Sequence, residues 1–318
     1  MTNYRHFEPK ALFEERMKKL IPDYENWFQI NKEKPINSIR CNTLKISPEA
    51  LKEKLEKKGW KISQPYKSFL EIMIVESKLL PGELGNSEEH LLGYYYVQEI
   101  SSMMPILALA PKPGEIILDL CASPGSKTTQ LAMYMENQGT IIANDRDLDR
   151  IKILSANLQK NGVSNCVIAR NDAVQLCEKL KKSGFLFDKI LTDVPCSGEG
   201  TIRSSPKTFL MWNIKMINKL SRQQKKIASS ALSILKTGGE LVYSTCTHAP
   251  EENEGVVNQL INKFNVKLEQ INLPVKTRPG ILNWENENFD KSLKLACRIY
   301  PQDNNTEGFF LCKLRKEK

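Results

Sequence analysis

Three features of the 318-residue sequence predict an α/β fold: a doubly wound, mostly parallel sheet behind a small N-terminal α+β domain. From about residue 113, apolar runs of strand length alternate with stretches of helical period. The runs, Ile116-Ile117-Leu118 and Lys189-Ile190-Leu191 among them, are dense in apolar residues rather than alternating, as strands covered on both faces are. Acids recur where runs end, at Asp145, Asp172 and Asp193, the edge where doubly wound sheets bind ligands. At about 100–200 residues per domain, the length suits a division into residues 1–97 and 98–318.

Taken in order, Glu8 to Leu20 carries Leu12, Phe13, Met17 and Leu20 at helical spacing, and residues up to about 37 then read as loop. Ser38 to Leu44 is a short strand. Ser47-Pro48-Glu49 opens a helix with an N-cap serine, a proline at the first position and an early acid; Ala50, Leu51 and Leu55 form its apolar face and Gly59 ends it. Ser68 to Val75 is the next strand, and Pro81 to Asn86 a loop. The main domain follows with strands at Glu115–Cys121, Thr140–Asn144, Asn165–Arg170, Phe187–Thr192 and Glu240–Thr245. Helices at Ser126–Glu136, Leu148–Lys160, Ala173–Lys182 and Leu220–Lys236 lie between them. No internal repeat interrupts the pattern.

Composition narrows the partners. With 41% hydrophobic and 26% charged residues the chain can build a core. The net charge of +9 favours polyanions without proving them. The first residues lack an apolar signal segment, and no run of about 18 apolar residues appears, so neither export nor a membrane span is expected. The eight cysteines include no Cys-x-x-Cys pair, which disfavours zinc and reads as reduced thiols in a cytoplasmic protein. Cys166, Cys177 and Cys297 read as packing residues.

Cys121-Ala122-Ser123-Pro124-Gly125-Ser126-Lys127 lies where the first strand turns into the first helix, and its small residues let a ligand approach the helix N-terminus. The Gly-x-Gly-x-x-Gly pattern of nicotinamide sites is absent. Asp145, 20 residues beyond Gly125, is placed to accept ribose hydroxyls; Asp172 is placed to meet an adenine edge, and Asp193 closes the row. Each acid alone is equally a helix N-cap. All three beside this loop point to an adenosine-containing cofactor, and an acidic edge also suits a sulfonium. Two further cysteines stand at strand ends, Cys196 in Asp193-Val194-Pro195-Cys196-Ser197-Gly198 and Cys246 in Ser244-Thr245-Cys246-Thr247. A thiolate can add to C6 of a pyrimidine and leave carbanion character at C5, ready for a methyl group; a second thiol and an acid can serve the proton steps.

On these residues the chain resembles the RNA 5-methylcytosine methyltransferases of the NOL1/NOP2/Sun (RsmB/NOP2/Sun) group. The likeness runs from Ser38–Lys45 through Tyr96–Ser102, the Cys121–Lys127 loop and the two cysteine motifs. It continues into Glu251-Glu252-Asn253-Glu254 and Gly308-Phe309-Phe310. It implies a Rossmann-like S-adenosylmethionine-dependent fold, with S-adenosyl-L-methionine held by Cys121–Lys127, Asp145, Asp172 and Asp193; on the cysteine spacing no metal is expected. It also implies Cys246 as nucleophile, Cys196 as the residue that releases the product, and Lys127 and Asp193 facing the target cytosine. Ser126 departs from the glycine of many relatives, with a side chain small enough to fit. Arg150 is expected to be a solvated helix residue and His248 a loop residue that the family does not require.

Residues 198–240 hold eight bases, Arg203, Lys207, Lys215, Lys219, Arg222, Lys225, Lys226 and Lys236, against Glu199 and Glu240. Phe209, Met211 and Trp212 are interleaved, so this stretch is the expected RNA contact, with the N-terminal α+β domain as a second. Trp212 either packs beneath the loop or stacks on an extruded base. The compact chain looks more like the archaeal tRNA branch, so tRNA is the expected substrate, ribosomal RNA the alternative, and the protein a monomer. A non-catalytic RNA-binding assembly factor would need neither thiol, and a small-molecule methyltransferase would need no basic stretch.

Overall fold

The computed structural model describes residues 9–318, and these form two compact units: residues 36–191, and the N-terminal segment to Pro35 together with Thr192–Lys318. The first N-terminal helix spans Ala11–Leu20; the start expected at Glu8 lies outside the described residues. Its buried face, Phe13, Met17 and Leu20, packs with Trp27 of the Tyr24–Ile30 helix against Ile202, Phe209, Trp212 and Tyr300. Trp212, 2% exposed, therefore belongs to the core; the stacking alternative does not hold.

Within 36–191, strands β1 (Asn37–Cys41), β2 (Ile62–Ser63), β3 (Ile72–Val75) and β4 (Tyr95–Val97) form an antiparallel sheet in the order β2-β3-β1-β4. The Pro48–Lys57 helix starts as its sequence dictates, with the Ser47 side chain accepting from the Ala50 amide, and buries Leu51 and Leu55 in this subdomain's core. Strands β5 (Ile116–Asp119), β6 (Thr140–Asp145), β7 (Cys166–Arg170) and β8 (Phe187–Asp193) pair in parallel in the order β8-β5-β6-β7. The helices Ser126–Tyr134, Leu148–Asn161 and Ala173–Lys182 connect them. Sequence neighbours β5 and β6 run outward on one side while β8 lies on the other, so the chain order reverses at β5, the place where doubly wound sheets open a ligand crevice.

The other unit continues from Thr192 and Asp193 into the Ile214–Ser233 helix and the long strand β9 (Leu235–Thr245). The helix begins earlier than expected and ends before Lys236, because Ile234 and Leu235 are buried and Leu235 already starts β9. After the Glu254–Lys263 helix come β10 (Val266–Glu269), β11 (Arg278–Pro279), the hairpin β12 (Asn283–Trp284) and β13 (Glu287–Asn288), β14 (Cys297–Ile299) and β15 (Phe309–Lys316). All pairings among β9, β10, β11, β14 and β15 are antiparallel; β15 lies between β9 and β14, with Phe310 opposite Thr245.

Candidate active site

In the 36–191 unit the Cys121–Lys127 loop is fixed from below by strand ends. Asn144 donates to the carbonyls of Leu120 (3.1 Å) and Asn171 (3.2 Å) and accepts from the Asn171 amide, so one amide ties together the ends of β5, β6 and β7. The Ala122 amide donates to the Asn144 carbonyl, and Thr128 Oγ1 donates to Asp119. Gly125 occupies the N-cap position of the Ser126–Tyr134 helix at φ 105°, where no side chain caps the first amides. A Cβ there would approach Leu154 Cδ1 to 2.9 Å. We expect Gly125→Ala to cost about 1–3 kcal/mol from the left-handed backbone alone, read from the midpoint of denaturant unfolding.

The buried Arg40 guanidinium donates to the Ser126 carbonyl (2.8 Å), Thr129 Oγ1 (2.8 Å) and Gln98, so the strand read as Ser38 to Leu44 serves to hold the loop helix. Burial lowers the Arg40 pKa to about 10. Lys127, 7% exposed, donates to Ser102 Oγ at 2.9 Å. Asp145 is buried and its Oδ1 accepts from the Asp147 amide; the cap of the following helix is Asp147, so the N-cap alternative does not apply to Asp145. Asp172 does cap its helix, accepting from the Val174 and Gln175 amides. Arg150 is not merely solvated: it donates to the Ser123 carbonyl at 2.6 Å and lies 3.5 Å from Asp145 Oδ2. A loop of small residues, an uncapped helix start and a buried acid facing one cation make a donor set that fits a cationic adenosine cofactor.

In the other unit, Cys196 and Cys246 meet, with their sulfurs 3.2 Å apart and both side chains partly exposed. The residues that follow them make a second contact, Ser197 Oγ to Thr247 Oγ1 at 2.7 Å, and the Val194 amide donates to the Ser244 carbonyl (3.2 Å), so the segments are joined on either side of the dithiol. Thr247 Oγ1 also donates to the buried Glu199, and the Gly200 amide donates to the Cys246 carbonyl. Gly200 must be glycine, since a Cβ would lie 2.3 Å from the Gly308 carbonyl oxygen. Asp193 accepts from Ser244 Oγ at 2.7 Å. The Cys196 thiol is pushed well up, first by its hydrogen bond with Cys246 and then by burial.

The four residues Glu251–Glu254 frame this dithiol, a role that the motif in the sequence does not reveal. Glu251 takes a two-point contact from Arg16 (3.1 and 2.6 Å). Glu252 accepts from the Ser197 amide (3.0 Å) and Gln224 Nε2 (2.7 Å). Asn253 accepts from Thr245 Oγ1 and donates to the Thr247 carbonyl, bracketing Cys246. Glu254 pairs with the buried Arg298, whose third contact is the His248 carbonyl. His248 itself is core: 1% exposed, stacked on Tyr300, its pKa pushed down to about 3 by burial and then by Arg298, so it carries no charge that could aid the thiols. Cys177 and Cys297 are buried and Cys166 half-buried.

The basic stretch divides. Arg203 is 2% exposed and holds the carbonyls of Thr306 and Lys34, so it is structural, contrary to expectation. Lys215, Lys219, Arg222 and Lys226 are exposed at spacings of four, three and four along the Ile214–Ser233 helix, which puts them on one face.

Fold and site together define an S-adenosylmethionine-dependent methyltransferase of the Rossmann-like class. Residues 106–315 match the family model described as 16S rRNA methyltransferase RsmB/F, and residues 9–100 that of the N-terminal domain of 16S rRNA methyltransferase RsmF. Over 303 residues the chain is 42% identical to the tRNA (cytosine(49)-C(5))-methyltransferase of Pyrococcus abyssi, covering 95% of this chain and 94% of that one. It is 37% identical to the ribosomal RNA small subunit methyltransferase F of Vibrio campbellii, covering 97% of this chain and 63% of that one. The crystal structure of a methyltransferase homologue from Pyrococcus horikoshii matches with a TM-score of 0.81 at 32% identity, over 96% of this chain and 99% of that one. The chain belongs to the RsmB/NOP2/Sun family of RNA methyltransferases.

Proposed function

We propose that the protein methylates C5 of a cytosine in tRNA, through a covalent bond between Cys246 and C6. The observation that carries this reading is the pair of sulfurs 3.2 Å apart, because a methyltransferase that merely bound RNA would have no use for two facing thiols. S-adenosyl-L-methionine, held by Cys121–Lys127, Asp145, Asp172 and Asp193, supplies an electrophilic methyl group on a sulfonium. Cys246 attacks C6 as a thiolate, and the C5=C6 π pair becomes the carbanion that takes the methyl group. Lys127 and Asp193 orient the ring and balance the charge that develops on it. In the release step Cys196, as thiolate, takes the C5 proton, the C5–H electron pair restores the double bond, and the bond from C6 to Cys246 breaks. The target base must be unpaired or flipped out, since a duplex buries C5 and C6.

The tRNA substrate is supported by the 42% identity to an archaeal enzyme of that name over nearly its whole length. The test is to incubate the protein with labelled cofactor and total tRNA or rRNA, then map 5-methylcytosine by sequencing. Label confined to small-subunit rRNA would move the substrate to the ribosome, and no 5-methylcytosine in either would sink the reading.

The phosphates of the substrate are assigned to the exposed face of the Ile214–Ser233 helix. Changing Lys215, Lys219, Arg222 and Lys226 to Gln should weaken RNA binding and reduce the slope of log K against log salt by up to about 3, at ~0.7 per phosphate contact for single strands. Titrations at several salt concentrations that give an unchanged slope would place the RNA elsewhere.

A further inference from the structure

Cys196 sits between two backbone groups that answer to one buried pair. Gln224 Nε2 donates to the Pro195 carbonyl (2.8 Å) and to Glu252 Oε2 (2.7 Å), and the same Oε2 accepts from the Ser197 amide (3.0 Å). Both partners of the Gln224 nitrogen are acceptors, which fixes the orientation of its amide. Glu252 is 0% exposed and Gln224 1%, and the Glu252 backbone is held in turn by the Tyr243 hydroxyl at 2.5 Å. We propose that Glu252 is a positioning residue for product release: with Gln224 it grips the chain on both sides of Cys196 and holds that sulfur against Cys246. This inference rests on the covalent reading above.

A purely structural clamp at this place would be cheaper without a charge. Among the described residues the Glu252 Oε1 is buried with no hydrogen-bond partner, a costly state for an ionised carboxylate. Burial pushes the Glu252 pKa up to about 7 against its hydrogen bonds from Ser197 and Gln224, and Glu199 raises it further. The titratable groups facing it are Cys196 on the 194–198 segment, Glu199 on the turn that follows and Tyr243 on β9; the Ile214–Ser233 helix presents the neutral Gln224. An ionised Glu252 opposes loss of the Cys196 proton, and a neutral one relieves that opposition. Release needs Cys196 as a thiolate, its own proton having passed to water, so the charge on Glu252 acts on that step.

The experiment is a pulse-chase of the protein–RNA adduct on denaturing gels, with the wild type, Glu252→Ala and Glu252→Gln, across pH 5.5 to about 9. Glu252→Ala should slow adduct decay on the order of 10–100-fold, the scale of a misplaced reacting group. Glu252→Gln, which keeps an acceptor for the Ser197 amide but no charge, should recover much of the rate, with the acid limb of the decay profile displaced to lower pH. Decay at the wild-type rate in Glu252→Ala, or an undisplaced limb in Glu252→Gln, overturns this inference alone. A wild type that forms no adduct brings down the covalent reading and this inference together.

Discussion

Cys246→Ala should abolish methyl transfer, by roughly 10⁴-fold or more as expected for loss of a nucleophile, and should form no adduct with RNA. Cys196→Ala should do something different: form the bond to C6, transfer the methyl group, and stall with RNA attached to protein in a band that survives denaturation. The asymmetry follows from the two roles proposed for the sulfurs, one attacking C6 and the other serving release. They lie 3.2 Å apart, and their hydrogen bond, together with burial, holds the Cys196 thiol up. The Ser197–Thr247 contact and the Asn253 bracket stay in place in either alanine variant, since neither uses a cysteine side chain. If the roles were reversed, Cys246→Ala would accumulate the adduct and Cys196→Ala would form none. A denaturing gel with labelled RNA separates the two cases directly.

The parallel strands and their helices were legible because strands buried on both faces write continuous apolar runs and their helices write a 3.6-residue period. The Ala173–Lys182 helix falls at its expected bounds, and its Asp172 cap is visible as an acid before an apolar period. The Pro48–Lys57 helix carries its start signals in the same way. What failed to show were contacts made across long sequence separations. Arg203 looks like its basic neighbours in the chain, and only the fold reveals that it ends among the carbonyls of Lys34 and Thr306. Trp212 gives no local sign that its indole nitrogen finds Glu199 at 2.7 Å inside a core built from the N-terminal helices. His248 follows the same pattern, since its burial depends on Trp27 and Tyr300. Glu251–Glu254 stood out as a motif, yet each residue's task is set by a partner that sequence spacing cannot supply: Arg16, Ser197 with Gln224, Thr245 with Thr247, and Arg298.

Arg298→Met is expected to be the most destabilising single change outside the cysteine segments. Arg298 and Glu254 are 1% and 0% exposed and share a two-point contact, Nε to Oε1 at 2.7 Å and Nη2 to Oε2 at 2.5 Å. The third guanidinium nitrogen donates to the His248 carbonyl at 2.9 Å, and Glu254 Oε1 also accepts from the Ile281 amide. Removing the cation leaves a carboxylate buried without its countercharge and a carbonyl without its donor, at a cost of about 3–5 kcal/mol for a broken buried pair. Lysine cannot rescue the site, since an ammonium has no planar fork with which to meet both carboxylate oxygens and the carbonyl together. Making the pair apolar, Arg298→Met with Glu254→Leu, removes both charges and should cost clearly less than the sum of the single changes, with a coupling of roughly 1–3 kcal/mol. Denaturant unfolding of the four proteins in this cycle measures that coupling. Additive losses would mean that the pair contributes nothing as a pair.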